Sequence, residues 1–98
     1  MNRAALAALK SVYDPEVGLD VVTMGLVYGL AQDDATLRVD MTLTSPNCPL
    51  GDSIVAMARE ALWGVSGERK VDLRLVWEPP WSPRMISAEG VRTLQGGG

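Results

Sequence analysis

The chain has 98 residues, a net charge of −3 and an apolar fraction of 47%, which describe one folded domain and exclude a mostly disordered chain. No Lys/Arg cluster offers a track for phosphates and no run of about 18 apolar residues exists, so neither nucleic-acid binding nor a membrane span is expected. Histidine is absent and Cys48 is the only cysteine, which excludes an internal disulfide, a Cys/His dyad and any His-bearing metal site within the chain.

Residues 2–12 read as a helix, because Ala5, Leu6, Leu9, Val12 and Tyr13 recur at helical spacing. The Asp14-Pro15 step ends it, since the residue before a proline is pushed away from helical angles. A loop with Gly18 at its turn follows. Val21-Val22-Thr23 reads as a short strand-forming stretch closed by Gly25. Residues 26–31 read as a strand with Leu26, Tyr28 and Leu30 on one face, and Asp33-Asp34 as a turn. Residues 36–44 give the clearest strand: Leu37, Val39, Met41 and Leu43 alternate with Arg38, Asp40, Thr42 and Thr44. That alternation suits a sheet covered on one face only.

Residues 49–65 read as the second helix, with Ile54, Ala58, Ala61, Leu62 and Val65 as its buried stripe and Gly64 and Gly67 marking its end. Residues 70–77 form a third alternating strand. Glu78-Pro79-Pro80-Trp81-Ser82-Pro83 fits neither a helix nor a central strand, because its prolines lack donors. Trp77 and Trp81 read as packing residues, with an interface anchor as the other reading of Trp81. Met24, Met41, Met57 and Met85 read as core filler. Residues 87–94 form a short last helix capped by Ser87.

The order helix-strand-strand-helix-strand predicts an α+β fold, a two-layer α/β sandwich in which a right-handed helical crossover makes the second and third strands parallel. Residues 1–94 form the single domain and residues 95–98, Gln95-Gly96-Gly97-Gly98, a flexible tail. The apolar run at the N-terminus is broken by Lys10 and Ser11, too short for a signal-peptide core, so the expected compartment is the cytoplasm, where a free thiol stays reduced.

The segment Thr44-Ser45-Pro46-Asn47-Cys48-Pro49 places the sulfur where the second helix begins. With Cys48 as N-cap and Pro49 as first helical residue, the amides of Leu50 and Gly51 and the positive end of the helix favour thiolate, and Thr44 and Ser45 supply hydroxyls just upstream. Asp52, Asp14, Glu16 and Asp20 act in the opposite sense if the first loop folds over the strand end. The expectation is a Cys48 at least partly ionised near neutral pH. Against it stand the readings in which Cys48 fills space in the core and Asp14 and Glu16 are solvated loop residues.

Four motifs in order, Asp14-Pro15-Glu16, then Met24-Gly25-Leu26-Val27-Tyr28, then residues 41–49 ending in Asn47-Cys48-Pro49, then Pro80-Trp81-Ser82-Pro83-Arg84-Met85-Ile86-Ser87, resemble the PaaD/SufT-like domain family of iron–sulfur cluster assembly factors. The resemblance spans about Leu6 to Leu94. It implies a fold similar to the C-terminal domain of NifU-type scaffolds and a role in maturing iron–sulfur proteins. By motif it implies Cys48 as the functional cysteine, Asp14 and Glu16 as the acidic pair, and Thr44 and Ser45 as the hydroxyls before the cysteine; in the favoured reading Cys48 is the iron or sulfur ligand, and Asp14 and Glu16 orient a partner or contact iron. The phenylacetate-degradation branch usually adds a cysteine-rich C-terminal segment, which these residues do not contain, so the general-maturation branch is favoured.

One sulfur cannot supply the four thiolates of an ordinary cluster. A stable cluster would draw Cys48 from two chains of a homodimer plus outside ligands, and no tightly bound cofactor is expected. Transient contact with a cluster or iron, and handover with a scaffold or client protein, is the reading this count favours. The alternatives are a thiol-dependent enzyme with Cys48 as nucleophile, which lacks the usual histidine base, a phenylacetate-oxygenase maturation subunit, or a protein-interaction module in which the sulfur is incidental.

Overall fold

A computed structural model of the chain describes residues 3–15, 17–44 and 51–96. The elements are α1 (Arg3–Leu9), β1 (Val27–Gln32), β2 (Thr36–Met41), α2 (Gly51–Ser66), β3 (Lys70–Leu75), a 3-10 turn (Pro83–Met85) and α3 (Ala88–Gly96). The sheet order is β1-β2-β3, with β1 antiparallel and β3 parallel to β2. The α+β fold and the parallel crossover through α2 are therefore as the sequence pattern predicts.

The alternating residues of β2 set the layers. Leu37, Val39 and Met41 are fully buried, and they share the core with Leu9 of α1 and Ile54, Ala58 and Leu62 of α2. Arg38 lies on the opposite, open face, where it faces Asp72 of β3 in register, as Asp40 faces Arg74. The β1–β2 turn is held by Asp33, whose Oδ1 accepts the amides of Ala35 and Thr36, both at 2.8 Å.

β1 departs from simple alternation. A bulge between Val27 and Gly29 sets Val27 opposite Met41 and Gly29 opposite Asp40. Val27 and Leu30 therefore both pack on the core, and Tyr28, expected beside Leu30, is the extra residue. Its hydroxyl donates to the Pro79 carbonyl at 2.7 Å and lies 3.4 Å from the Met85 sulfur, tying the Pro-rich segment to the sheet.

Other expectations shift for local reasons. α1 closes at Leu9, and Tyr13 is half exposed. α2 runs straight through Gly64 and ends at Ser66, where Gly67 takes φ +63° in the left-handed region that glycine tolerates. Met57 is 39% exposed and so is not core filler. Leu75 and Trp77 are also substantially exposed, because β3 is an edge strand. Ser87 does cap α3, its Oγ accepting the Gly90 amide at 3.1 Å. α3 continues through Gly96, two residues into the stretch expected to fray.

Candidate functional site

Cys48, Ser45 and Glu16 lie outside the described residues, as do Pro46, Asn47, Pro49 and Leu50, so the N-cap placement of Cys48 is an expectation only. What the structure describes is the ground on either side. The segment leaves the C-terminal end of β2 after Thr44, which is half-buried, and rejoins the described chain at Gly51, buried at the start of α2 with Asp52 in its first turn. The site is built around that end of the sheet.

Two short loops, each organised by one carboxylate, cover it. Asp14 is 5% exposed, which removes the solvated-loop reading. Its Oδ1 accepts the Val17 amide at 3.4 Å, its carbonyl accepts the Gly18 amide at 2.8 Å, and Gly18 turns the chain back at φ +81°. The Asp14 amide then donates to the Leu19 carbonyl at 2.9 Å. Asp20 repeats the device. Its Oδ2 accepts the Thr23 amide at 2.9 Å, its Oδ1 accepts the Thr23 hydroxyl at 2.6 Å, and the Met24 amide donates to its carbonyl at 3.0 Å. Val21-Val22-Thr23 is thus a capped turn rather than a strand: the side-chain cap and Gly25 at φ +78° override the β-branched preference. The sequence signal for this was Asp20 three residues before Thr23, the spacing of a capped turn.

The loops are fastened to the strand end and to the C-terminal segment. Leu26 links them to the sheet, its amide donating to the Val21 carbonyl at 3.0 Å and its carbonyl accepting the Thr42 amide at 2.8 Å. Thr42 itself is fully buried. Trp81 packs against the core and donates its indole N–H to the Met24 carbonyl at 2.7 Å, while the Ser87 amide donates to the Thr23 carbonyl at 2.9 Å. Gly25 lies so close to the Met85 carbonyl that an added Cβ would sit 2.3 Å from its oxygen. An open groove of about 670 Å³ runs beside this junction, between Tyr28, Asp40, Glu78 and Met85. Among the described residues no three Asp, Glu, His or Cys side chains come together as a metal site.

The described parts of the motifs at residues 24–28, 41–49 and 80–87 therefore meet at one end of the sheet, while Asp14 is bonded within its own loop, which reaches that end through the Val21–Val12 and Leu26–Val21 backbone bonds. The pattern of the family described as iron–sulfur cluster assembly protein matches residues 2–73. The chain belongs to this family. It is 42% identical over 77 residues to the Fe-S protein maturation auxiliary factor SufT of Staphylococcus aureus (strain USA300), covering 78% of this chain and 88% of that one. It is 41% identical over 83 residues to the Fe-S protein maturation auxiliary factor YitW of Bacillus subtilis (strain 168), covering 84% and 81%. A solved conserved hypothetical protein from Thermotoga maritima superposes with a TM-score of 0.83 at 42% identity, covering 98% of this chain and 94% of that one. In this iron–sulfur assembly domain, most motif residues that are described hold the loops in place, and Cys48 carries the only thiol in the sequence.

Proposed function

We propose that this chain is an accessory factor in the maturation of iron–sulfur proteins, with Cys48 as a transient ligand to the iron or sulfide that is its cargo. The observation that carries the reading is family membership over residues 2–73, a span that includes the Cys48 segment between the end of β2 and α2. A single thiolate binds iron weakly unless other ligands complete the coordination. Thr44 and Ser45 lie beside it in sequence, and the described carboxylates Asp14 and Asp20 are engaged in their own loops. The completing ligands then come from a scaffold or client protein, which suits handover rather than storage. In this reading Asp14 keeps the first loop in shape, and Glu16, which that loop carries, meets the partner. The expected setting is the cytoplasm, where scaffold and client thiols are reduced.

The test is maturation of an apo iron–sulfur protein by the purified domain without oxygen, read as client activity beside iron and acid-labile sulfide bound to the domain. Wild type is expected to speed maturation and Cys48→Ser to lose that effect while keeping its fold by circular dichroism. Full stimulation by Cys48→Ser would overturn the role of the sulfur, and no stimulation by wild type would overturn the function.

A further inference from the structure

The free edge of β3 carries a charge pattern that is complementary to itself. β3 pairs with β2 on one side only, and among the described residues no strand pairs with the other. The amides of Lys70 and Val76 donate toward β2, to the carbonyls of Ala35 and Met41. The alternation of a strand then turns the amides and carbonyls of Val71, Leu73 and Leu75 outward. On the open face the side chains form a checkerboard. Arg38 faces Asp72, Asp40 faces Arg74, and within β3 the Arg74 guanidinium bonds the Asp72 carboxylate at 3.0 Å. That carboxylate, and more weakly Asp40, raise the pKa of Arg74.

The geometry points to a homodimer in which the β3 edges of two chains pair antiparallel about a two-fold axis through Leu73. In this register Leu73 faces Leu73 of the second copy, Val71 faces Leu75, and Asp72 faces Arg74. The three outward-facing residues of each strand are then all hydrogen-bonded pairs, as the antiparallel ladder requires. Across the four central strands the open face reads Arg38, Asp72, Arg74, Asp40, alternating in sign without a break, and the two-fold axis repeats the row in reverse. Shifting the axis by one residue, to Asp72 or to Arg74, keeps the hydrogen-bonding alternation but puts like charges opposite each other. Leu75, 41% exposed in the single chain, gains Val71 of the second copy as cover.

β1 has no such pattern. Its residues Val27–Gln32 carry no charge and its start is bulged. Because the two copies of β3 run in opposite directions, so do the two copies of β2. The Cys48 segments then leave from opposite ends of a six-stranded sheet.

A five-residue edge falls at the small end of specific interfaces, so the dimer is concentration-dependent. Sedimentation of the full chain over a concentration series measures it. Asp72→Arg alone and Arg74→Asp alone are each expected to weaken self-association at least about tenfold, since each puts like charges opposite one another twice. Mixing the two variants restores opposite charges across the axis and is expected to give a heterodimer, which also shows that both are folded. A wild type that stays monomeric up to about 1 mM overturns the proposal. So does a dimer indifferent to either substitution, or a mixture that fails to associate.

Discussion

Gly18 and Gly25 have nearly the same backbone angle, φ +81° and +78°, but different surroundings, and this separates two costs that usually come together. An added Cβ at Gly18 meets nothing within 4 Å, so Gly18→Ala is charged only for placing an L-residue in the left-handed region, about 1 kcal/mol. At Gly25 the same Cβ would lie 2.3 Å from the Met85 oxygen and 2.9 Å from its carbonyl carbon, whereas ordinary contact begins near 3.4 Å. Met85 meets it with backbone, which has no rotamer to escape into. The segment must retreat by roughly an ångström. The two bonds that join the same segments, Trp81 to the Met24 carbonyl and Ser87 to the Thr23 carbonyl, are then stretched, at about 1 kcal/mol each.

The expected loss for Gly25→Ala is therefore about 3–4 kcal/mol, out of a total stability on the order of 5–15 kcal/mol for a domain of this size. Urea unfolding at equilibrium, with the slope checked for constancy, measures both variants. In thermal unfolding, at about 4–8 °C per kcal/mol, the midpoint should fall by roughly 5 °C for Gly18→Ala and by 15 °C or more for Gly25→Ala. Losses that agree within about 0.5 kcal/mol would refute the claim that the Met85 contact locks the loop.

Trp81→Phe keeps a ring in place but leaves the Met24 carbonyl without its donor, and a loss of about 1–2 kcal/mol is expected in the same unfolding assay. Asp20→Ala removes the acceptor of the Thr23 amide and should cost about 1 kcal/mol, while Asp20→Asn, an equally good cap, should cost a few tenths. Leu62→Ala empties a fully buried site between α2 and the sheet and should cost about 2–5 kcal/mol.

The parts legible in the sequence were those with one dominant local signal. β2 alternates cleanly because one face meets the helices and the other does not, and α2 shows a single stripe because one side of it is buried. Ser87 caps α3 through its own third neighbour, which needs no tertiary information. The errors fall where a distant or competing group decides. The bulge at Tyr28 serves a hydrogen bond to Pro79, 51 residues away, and no local pattern encodes it. Val21 and Val22 favour a strand, yet the Asp20 carboxylate captures the Thr23 amide and hydroxyl first. Trp81 read as either packing or docking because its partner, the Met24 carbonyl, is a backbone atom with no sequence signature.

That placement of Trp81 separates the functional readings. If Trp81 were a docking anchor, its replacement would impair client maturation while leaving the free domain stable. Its indole is instead bonded within the fold, so Trp81→Phe should act through stability: client maturation falls near the lowered unfolding midpoint and recovers on cooling, in step with the folded fraction. In the proposed role Cys48 is a ligand rather than a support, so the loss in Cys48→Ser should persist at every temperature at which the domain is folded. Maturation assays of both variants between about 10 °C and the midpoint distinguish the two. A Trp81→Phe defect that persists in the cold would make that ring part of the partner surface, and would move the weight of the motifs from holding the loops to meeting the client.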